Sequence, residues 1–145
     1  MLNRLLRANP GGPLLTVALM SWPMLACAAG TKQAPPDASV TELMTRNLIS
    51  GSGKEVIMLT VTYPAAGASL PHRHDAQVFV YVLEGELTMQ VRGSPAVTLR
   101  SGQTFYEAPD DVHVVSANKS KSAPAKILVV MIKDKGKPAS RSVSD

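Results

Sequence analysis

Three histidines are the residues of this chain whose type and spacing indicate chemistry. His72 and His74 are two residues apart, and side chains at that spacing leave the same face of an extended chain. Their imidazoles can therefore converge on one ion. The third histidine, His113, lies in a second stretch, residues 102–118, in which turn residues alternate with short apolar runs. Because no histidine lies elsewhere, the pattern predicts one site that uses all three.

Neutral imidazoles are suitable ligands for Fe, Mn, Zn or Ni, and a site without thiolate gives no sharp preference among these metals. Closed structural sites normally have four protein ligands, so three histidines leave positions open for water or a small-molecule substrate. The alternative is a pocket that the histidines line without an ion. We expect a divalent metal ion as cofactor, because buried imidazoles without partners would lower stability.

Length and charge limit the class of protein. A chain of 145 residues with 45% hydrophobic residues is expected to form one domain with one core. The formal net charge of +4 includes Arg4 and Arg7, which lie in a segment that we expect to be removed. The other basic residues are mostly near the C-terminus and are not interleaved with aromatic residues, as they are in nucleic-acid grooves. We therefore expect no nucleic-acid partner.

Residues 1–29 have the pattern of a secretory signal peptide, with Arg4 and Arg7 before an apolar run and small residues around Cys27. The alternative is an uncleaved membrane anchor, but the run is short for a bilayer span. Residues 24–27 also resemble the bacterial lipobox, in which Cys27 would be lipidated and anchor the protein to the envelope. We expect secretion to the periplasm, with membrane attachment only through lipidation or an uncleaved signal. The mature domain then has no disulfide.

Short apolar runs alternate with turn residues through the rest of the chain. Residues 30–39 are polar and contain prolines, which indicates a linker, and residues 134–145 are predicted to form a flexible tail. The domain between them, 40–133, shows no convincing amphipathic helix. Its predicted strands are 40–49, 55–63, 77–83, 87–92, 96–99, 104–106, 112–116 and 127–133. This spacing predicts an all-β antiparallel fold, and an immunoglobulin-like sandwich, a lipocalin-like barrel and a jelly roll all agree with it.

Two stretches of the domain resemble the motifs of the cupin superfamily. The first motif contains a glycine, His-x-His, a glutamate and a second glycine, and the second contains a glycine, a proline, a histidine and an asparagine. The matching residues are Gly67, His72, His74, Gly85, Gly102, Pro109, His113 and Asn118. The resemblance covers residues 40–133. It implies an antiparallel jelly-roll barrel with the three histidines as metal ligands.

The chain departs from the cupin pattern at one metal ligand. Counting seven residues back from Gly85 gives Val78, where the family motif has a metal-binding glutamate. The neighbouring Gln77 is our predicted fourth ligand, provided that a bulge turns it inward. Strict strand alternation would instead place Gln77 on the opposite face. In the second motif, Asp111 replaces a glycine and His113 follows it one residue early.

Glu107 is the one catalytic candidate that the sequence suggests. It could act as an acid or base, accept a hydrogen bond from a histidine, or serve as a fourth ligand. An exposed glutamate before a turn is the alternative.

The resemblance implies an exported small cupin that binds a divalent metal in its barrel. Three-histidine sites that lack the glutamate look like those of the family's dioxygenases, which suggests a metal-dependent enzyme acting on a small organic substrate. The alternative is a non-catalytic metal-binding or ligand-binding cupin, such as a sensor of the cell envelope. Both faces of the strand at 77–83 are apolar. The resemblance makes a second copy of the chain the expected cover for its outer face, and thus predicts a homodimer.

Overall fold

The computed structural model describes residues 34–49 and 53–143. The strands are β1 (Ser39–Asn47), β2 (Lys54–Tyr63), β3 (His72–Arg73), β4 (Ala76–Glu84), β5 (Glu86–Val91), β6 (Val97–Arg100), β7 (Thr104–Glu107), β8 (Val112–Ala117), β9 (Ala125–Asp134) and β10 (Arg141–Ser142). Within the described residues the fold contains no α-helix. The predicted all-β class is therefore confirmed.

Two antiparallel sheets of five strands enclose the core. The first, sheet A, has the order β1-β2-β9-β4-β7, and the second, sheet B, has the order β10-β3-β8-β5-β6. Strands that are neighbours in the chain often lie in different sheets, as β3 and β4 do, so the chain winds repeatedly from one sheet to the other. This is the jelly-roll topology that the resemblance implied.

Strict alternation of side chains explains why the central strands face the core on one side only. In β9, buried and half-buried residues alternate from Ala125 to Lys133, as expected for a pleated strand with one buried face. The inner side chains of both sheets meet in one core, in which Val82 and Leu87 have no exposed surface. Burial of each such aliphatic side chain contributes about 1.5–3 kcal/mol. The core therefore holds the two sheets together.

Each of the eight predicted strands overlaps an observed one. The structure adds β3 and β10, which are two residues long and pair with each other. Such short strands have no periodic pattern of their own, because their conformation is set by partners that are distant in the sequence.

The predicted flexible tail at 134–145 contains regular structure among the residues that the structure describes, which end at Val143. Asp134 ends β9, and β10 pairs with β3 in sheet B. The turn between them is fixed by a buried ion pair: the Lys133 ammonium donates to Glu55 and to the carbonyl of Lys137, and the Gly136 N–H donates to Glu55 at 3.2 Å. The start of the segment therefore makes specific hydrogen bonds to β2 and β9.

The predicted signal peptide at 1–29 and the first residues of the predicted linker lie outside the described residues. Residues 34–38 of the linker have no regular structure, and the Pro36 carbonyl accepts a hydrogen bond from the Ala68 N–H at 3.0 Å. The part of the chain that the structure describes contains no helix capable of spanning a membrane.

The tight connection between β4 and β5 requires glycine at position 85. Gly85 has φ of +74°, and a Cβ atom there would lie 2.8 Å from the Pro124 carbonyl oxygen. Gly93 also has positive φ, but a Cβ atom there would meet nothing within 4 Å. Any L-residue would have a strained backbone at both positions because φ is positive. Only at position 85 would its Cβ atom also clash with a neighbouring segment.

We predict that Gly85→Ala lowers the free energy of unfolding by about 1–3 kcal/mol more than Gly93→Ala does, because only the first variant forces its Cβ into the backbone of a neighbouring segment. Urea unfolding of both variants measures the difference. Equal losses of stability would mean that the Gly85 turn relaxes without resistance.

Candidate metal centre

The three histidines meet at one point on the inner side of sheet B. His72 in β3 and His113 in β8 are directly opposite each other in the antiparallel pairing. His74 follows β3, and its ring centroid lies 4.9 Å from that of His72, while the His72 and His113 centroids are 5.2 Å apart. One ligand nitrogen from each ring lies within 4.8 Å of the others. The structure thus brings the three predicted ligands together.

Backbone carbonyls orient two of the imidazoles. His74 Nδ1 lies 2.6 Å from the Ala139 carbonyl oxygen, and His72 Nδ1 lies 2.8 Å from that of Leu70. A carbonyl can only accept, so both Nδ1 atoms carry the proton and both Nε2 atoms have a free lone pair. This arrangement prepares Nε2 for a metal ion. Ala139 belongs to the C-terminal segment, which therefore helps to position a site residue.

A bulge in β8 determines which residues of that strand face the interior. Pairing with β5 joins Gln90 to Val115 and Val91 to His113, so that Val114 is left as an extra residue. His113 and Ser116, which are three residues apart, are consequently both 3% exposed.

Glu107 enters the cluster from sheet A. It ends β7 and lies directly opposite Val78 of β4. Its Oε2 atom is 3.4 Å from His113 Nδ1 and 3.8 Å from His74 Nε2, and its side chain is buried. The exposed alternative for Glu107 is therefore wrong. A carboxylate therefore lies next to position 78, where the cupin motif has its glutamate, but it belongs to β7 and not to β4.

The fourth ligand that we predicted, Gln77, lies away from the cluster. It is exposed and alternates with the buried Ala76 and Val78. The bulge that would have turned it inward is absent, because β4 pairs with β9 in unbroken register from Ala76 to Val82. Strand alternation therefore keeps Gln77 on the outer face, and its assignment as a ligand is corrected.

Burial dominates the electrostatics of the site. It lowers the pKa of His113 to about 3, with additional repulsion from His72 and His74. It also lowers the pKa of His74. Burial, together with the negative charge of Asp111, raises the pKa of Glu107 to about 7. In the metal-free protein the apolar surroundings thus favour the neutral forms of His74, His113 and Glu107.

The turn after β7 fixes Glu107 in this position. The Asp111 carboxylate accepts a hydrogen bond from the Ala108 N–H at 2.8 Å, which closes the turn over Pro109 and Asp110. Asp111, which replaces a glycine of the second motif, therefore has a structural role in this chain.

Two buried atoms of the cluster have no hydrogen-bond partner among the described residues, His113 Nε2 and Glu107 Oε2. Unpaired buried polar atoms are unfavourable, and here both are electron-pair donors directed into one cluster. A divalent cation accepts such donors, and imidazole nitrogen with one carboxylate is an ordinary ligand set for Fe, Mn, Zn or Ni. The residues present therefore fit a metal ion.

A cavity of about 100 Å³ extends from the cluster into the barrel and is lined by His74, Glu107 and His113 together with Tyr63 and Ser116. Neither Tyr63 nor Ser116 was a sequence candidate, since a tyrosine at the end of a strand and a serine within one carry no local signal. Alternation within β2 would place Tyr63 on the inner face with Leu59 and Val61, as the structure does. The cavity gives the histidine cluster room for a small ligand.

The jelly roll and its histidine cluster together define a protein of the double-stranded β-helix class. The chain belongs to the cupin superfamily, since the family model described as "Cupin domain" matches residues 59–131. No curated protein sequence matches the chain.

Solved structures confirm the fold. An uncharacterized conserved protein with a double-stranded β-helix domain from Klebsiella pneumoniae is 13% identical, with a TM-score of 0.61, 79% of this chain covered and 90% of that one. A cupin-like protein from Thermotoga maritima is 17% identical, with a TM-score of 0.56 and coverage of 74% and 77%. An oxalate oxidase in complex with the substrate analogue glycolate is 26% identical, with a TM-score of 0.59. The match covers 79% of this chain but only 59% of the oxalate oxidase.

The raised pKa of Glu107 gives a pH prediction for the metal-free protein. A group with a raised pKa in the folded state favours folding below its ordinary value of 4.5, and this contribution is lost as the pH rises through about 7. Glutamine stays neutral at every pH. Metal-free Glu107→Gln should therefore gain stability over the parent across this range, by about 3 kcal/mol in total.

Urea unfolding in the presence of a chelator measures this difference, because the histidines and the other carboxylates are common to both proteins. A stability difference that stays constant with pH would contradict the buried, proton-binding state of Glu107.

Proposed function

We propose that the chain is a metal-dependent cupin that holds one divalent ion with His72, His74, His113 and Glu107. The observation that supports this most strongly is the convergence of three imidazoles, with the Glu107 carboxylate beside His74 and His113 and with His113 Nε2 and Glu107 Oε2 unpaired among the described residues. The ligands come from both sheets, so the ion would also link sheet A to sheet B.

Each residue of the cluster has a role that follows from its contacts. The Leu70 and Ala139 carbonyls hold His72 and His74 with Nε2 available, and His113 stays neutral because burial lowers its pKa. The aliphatic walls of the cavity exclude water from the cluster. A bound Fe ion would supply dioxygen chemistry, whereas Mn, Ni or Zn would polarise a carbonyl oxygen of the substrate.

Our first candidate function is that of a dioxygenase-like enzyme acting on a small organic molecule. The likeness to an oxalate oxidase supports oxidative chemistry, although that protein is considerably longer than this chain. The second candidate is a metal-binding or ligand-binding module without catalysis. It is supported by the presence of a single carboxylate in the cavity lining, because a Glu107 that binds metal leaves no acid or base beside the substrate.

Metal analysis of the purified protein tests the proposed centre. We expect near-stoichiometric metal in the parent and its loss in the His72→Ala/His113→Ala variant. Glu107→Gln should weaken metal binding by at least about tenfold, since a ligand is lost. Glu86→Gln is the control: its carboxylate forms an ion pair with Arg100 on the surface of sheet B, so it should leave metal affinity unchanged. A parent that takes up no metal after reconstitution would refute the centre.

Oxygen uptake by the iron-loaded protein then separates the two candidate functions. Substrate-dependent oxygen consumption with catechols, thiols or flavonoids, absent in the His72→Ala/His113→Ala variant, would support the enzyme. No consumption with any of these classes by a protein that retains iron would favour the binding module.

We also propose that a second copy of the chain covers the outer face of sheet A. Phe79 and Tyr81 in β4 are each 43% exposed, Tyr106 in β7 is 50% exposed, and the rings of Phe79 and Tyr106 lie 5.3 Å apart. Leu128 and Val130 of β9 continue the same apolar surface. A flat apolar face with no charged residue in this lining can pack against its own copy about a two-fold axis.

Light scattering tests this dimer, with Phe79→Glu as the disrupting variant and Val97→Glu on sheet B as the control. The parent and the control should be dimers and Phe79→Glu a monomer. A parent that is monomeric at micromolar concentration would exclude the dimer.

Export to the periplasm, through a signal peptide at 1–29 or a lipidated Cys27, completes the proposal. It is supported by the sequence pattern alone. Mass determination of the protein from cell fractions distinguishes the two routes, and a full-length protein confined to the cytoplasm would contradict both.

A further inference from the structure

The cavity next to the histidine cluster restricts the size and polarity of the ligand. Most of its lining is aliphatic and comes from the inner faces of the central strands. A volume of about 100 Å³ has room for a molecule of about four to six non-hydrogen atoms.

Charge limits the ligand further. No lysine or arginine is among the described residues that line the cavity. A divalent ion, three neutral imidazoles and the Glu107 carboxylate together carry one positive charge. A monoanion neutralises this charge, whereas a dianion would leave a buried negative charge without a partner in aliphatic surroundings.

The buried hydroxyl groups of the cavity give it one hydrogen-bond donor for a ligand; Ser140, which also lines the cavity, is exposed. Ser69 Oγ donates to the Tyr63 hydroxyl at 3.2 Å, and the Tyr63 hydroxyl and Ser116 Oγ share a hydrogen bond of 2.6 Å. Three hydroxyl protons serve two hydrogen bonds, so one proton is left over. It belongs to Tyr63 or to Ser116, and both of these residues line the cavity and are 3% exposed.

We propose that the cavity binds a small monoanion whose charged oxygen faces the histidines and whose second oxygen accepts the free hydroxyl proton of the Tyr63/Ser116 pair. Short oxo- or hydroxy-carboxylates belong to this class, and dianions such as oxalate do not. The inference rests on the metal centre proposed above and adds the chemical class of its ligand.

Cobalt-loaded protein tests the class of ligand, because the visible absorption of Co(II) reports binding next to the ion without requiring turnover. The probes are pyruvate, a monoanion with a second oxygen function; butanoate, a monoanion without one; and oxalate, a dianion. Pyruvate should bind at least about tenfold more tightly than oxalate, since the cavity offers no second positive charge.

Variants of the hydroxyl pair test the second contact. Tyr63→Phe/Ser116→Ala removes both positions of the free proton and should weaken pyruvate binding by about tenfold, the effect of one hydrogen bond, while butanoate binding stays the same. Ser69→Ala is the matched control. It removes a hydroxyl that does not line the cavity. The Tyr63/Ser116 pair still has one hydroxyl proton that is not used in the hydrogen bond between the two residues.

Equal affinity for oxalate and pyruvate, or unchanged pyruvate affinity in the double variant, would overturn the inference. If the double variant does not fold, the comparison of oxalate with pyruvate in the parent decides. A parent that takes up no cobalt would refute the metal centre and the inference together. Cobalt uptake with no discrimination among the probes would refute the inference alone.

Discussion

Electron-pair donors are buried without partners in the histidine cluster, and this is the main physical constraint on the site. Three imidazoles meet in one cluster with the Glu107 carboxylate beside two of them, and the described residues provide no hydrogen-bond donor for Glu107 Oε2 or partner for His113 Nε2. Apolar surroundings make such a cluster unfavourable by itself, and the pKa values of His113 and Glu107 are displaced toward the neutral forms for this reason. A cation that binds all four would turn this unfavourable arrangement into a link between the two sheets.

The long strands of the barrel hold the cluster, and short irregular features aim its side chains. The pairing of β4 with β7 places Glu107 opposite Val78, and the extra residue Val114 in β8 brings His113 and Ser116 to the same face. The C-terminal segment fixes His74 through Ala139 and is itself fixed by the buried pair of Glu55 and Lys133. Catalytic or binding geometry in this domain is therefore determined mainly by contacts between distant parts of the chain.

The sequence predicted the fold class and the three histidines because both depend on local patterns: strand alternation, turn residues and the spacing of His72 and His74. It failed where position depends on strand pairing. Counting along β4 located a missing ligand at Val78 and suggested Gln77 as its replacement, yet the carboxylate comes from β7, and no local pattern reveals which residue will lie opposite Val78. The ordered C-terminal segment was missed for the same reason, since the partners of Lys133 and Arg141 lie far away in the sequence.

A crystal structure of the metal-loaded protein, with anomalous scattering recorded at the absorption edge of the bound metal, would show whether Glu107 and the three histidines bind one ion. Our account predicts one anomalous peak inside the barrel, at ordinary ligand distances of about 2.0–2.3 Å from nitrogens of His72, His74 and His113 and from a carboxylate oxygen of Glu107. A peak bound only by the histidines, with Glu107 turned away, would contradict the role that we assign to β7. Metal found elsewhere, with the cluster empty, would contradict the account as a whole.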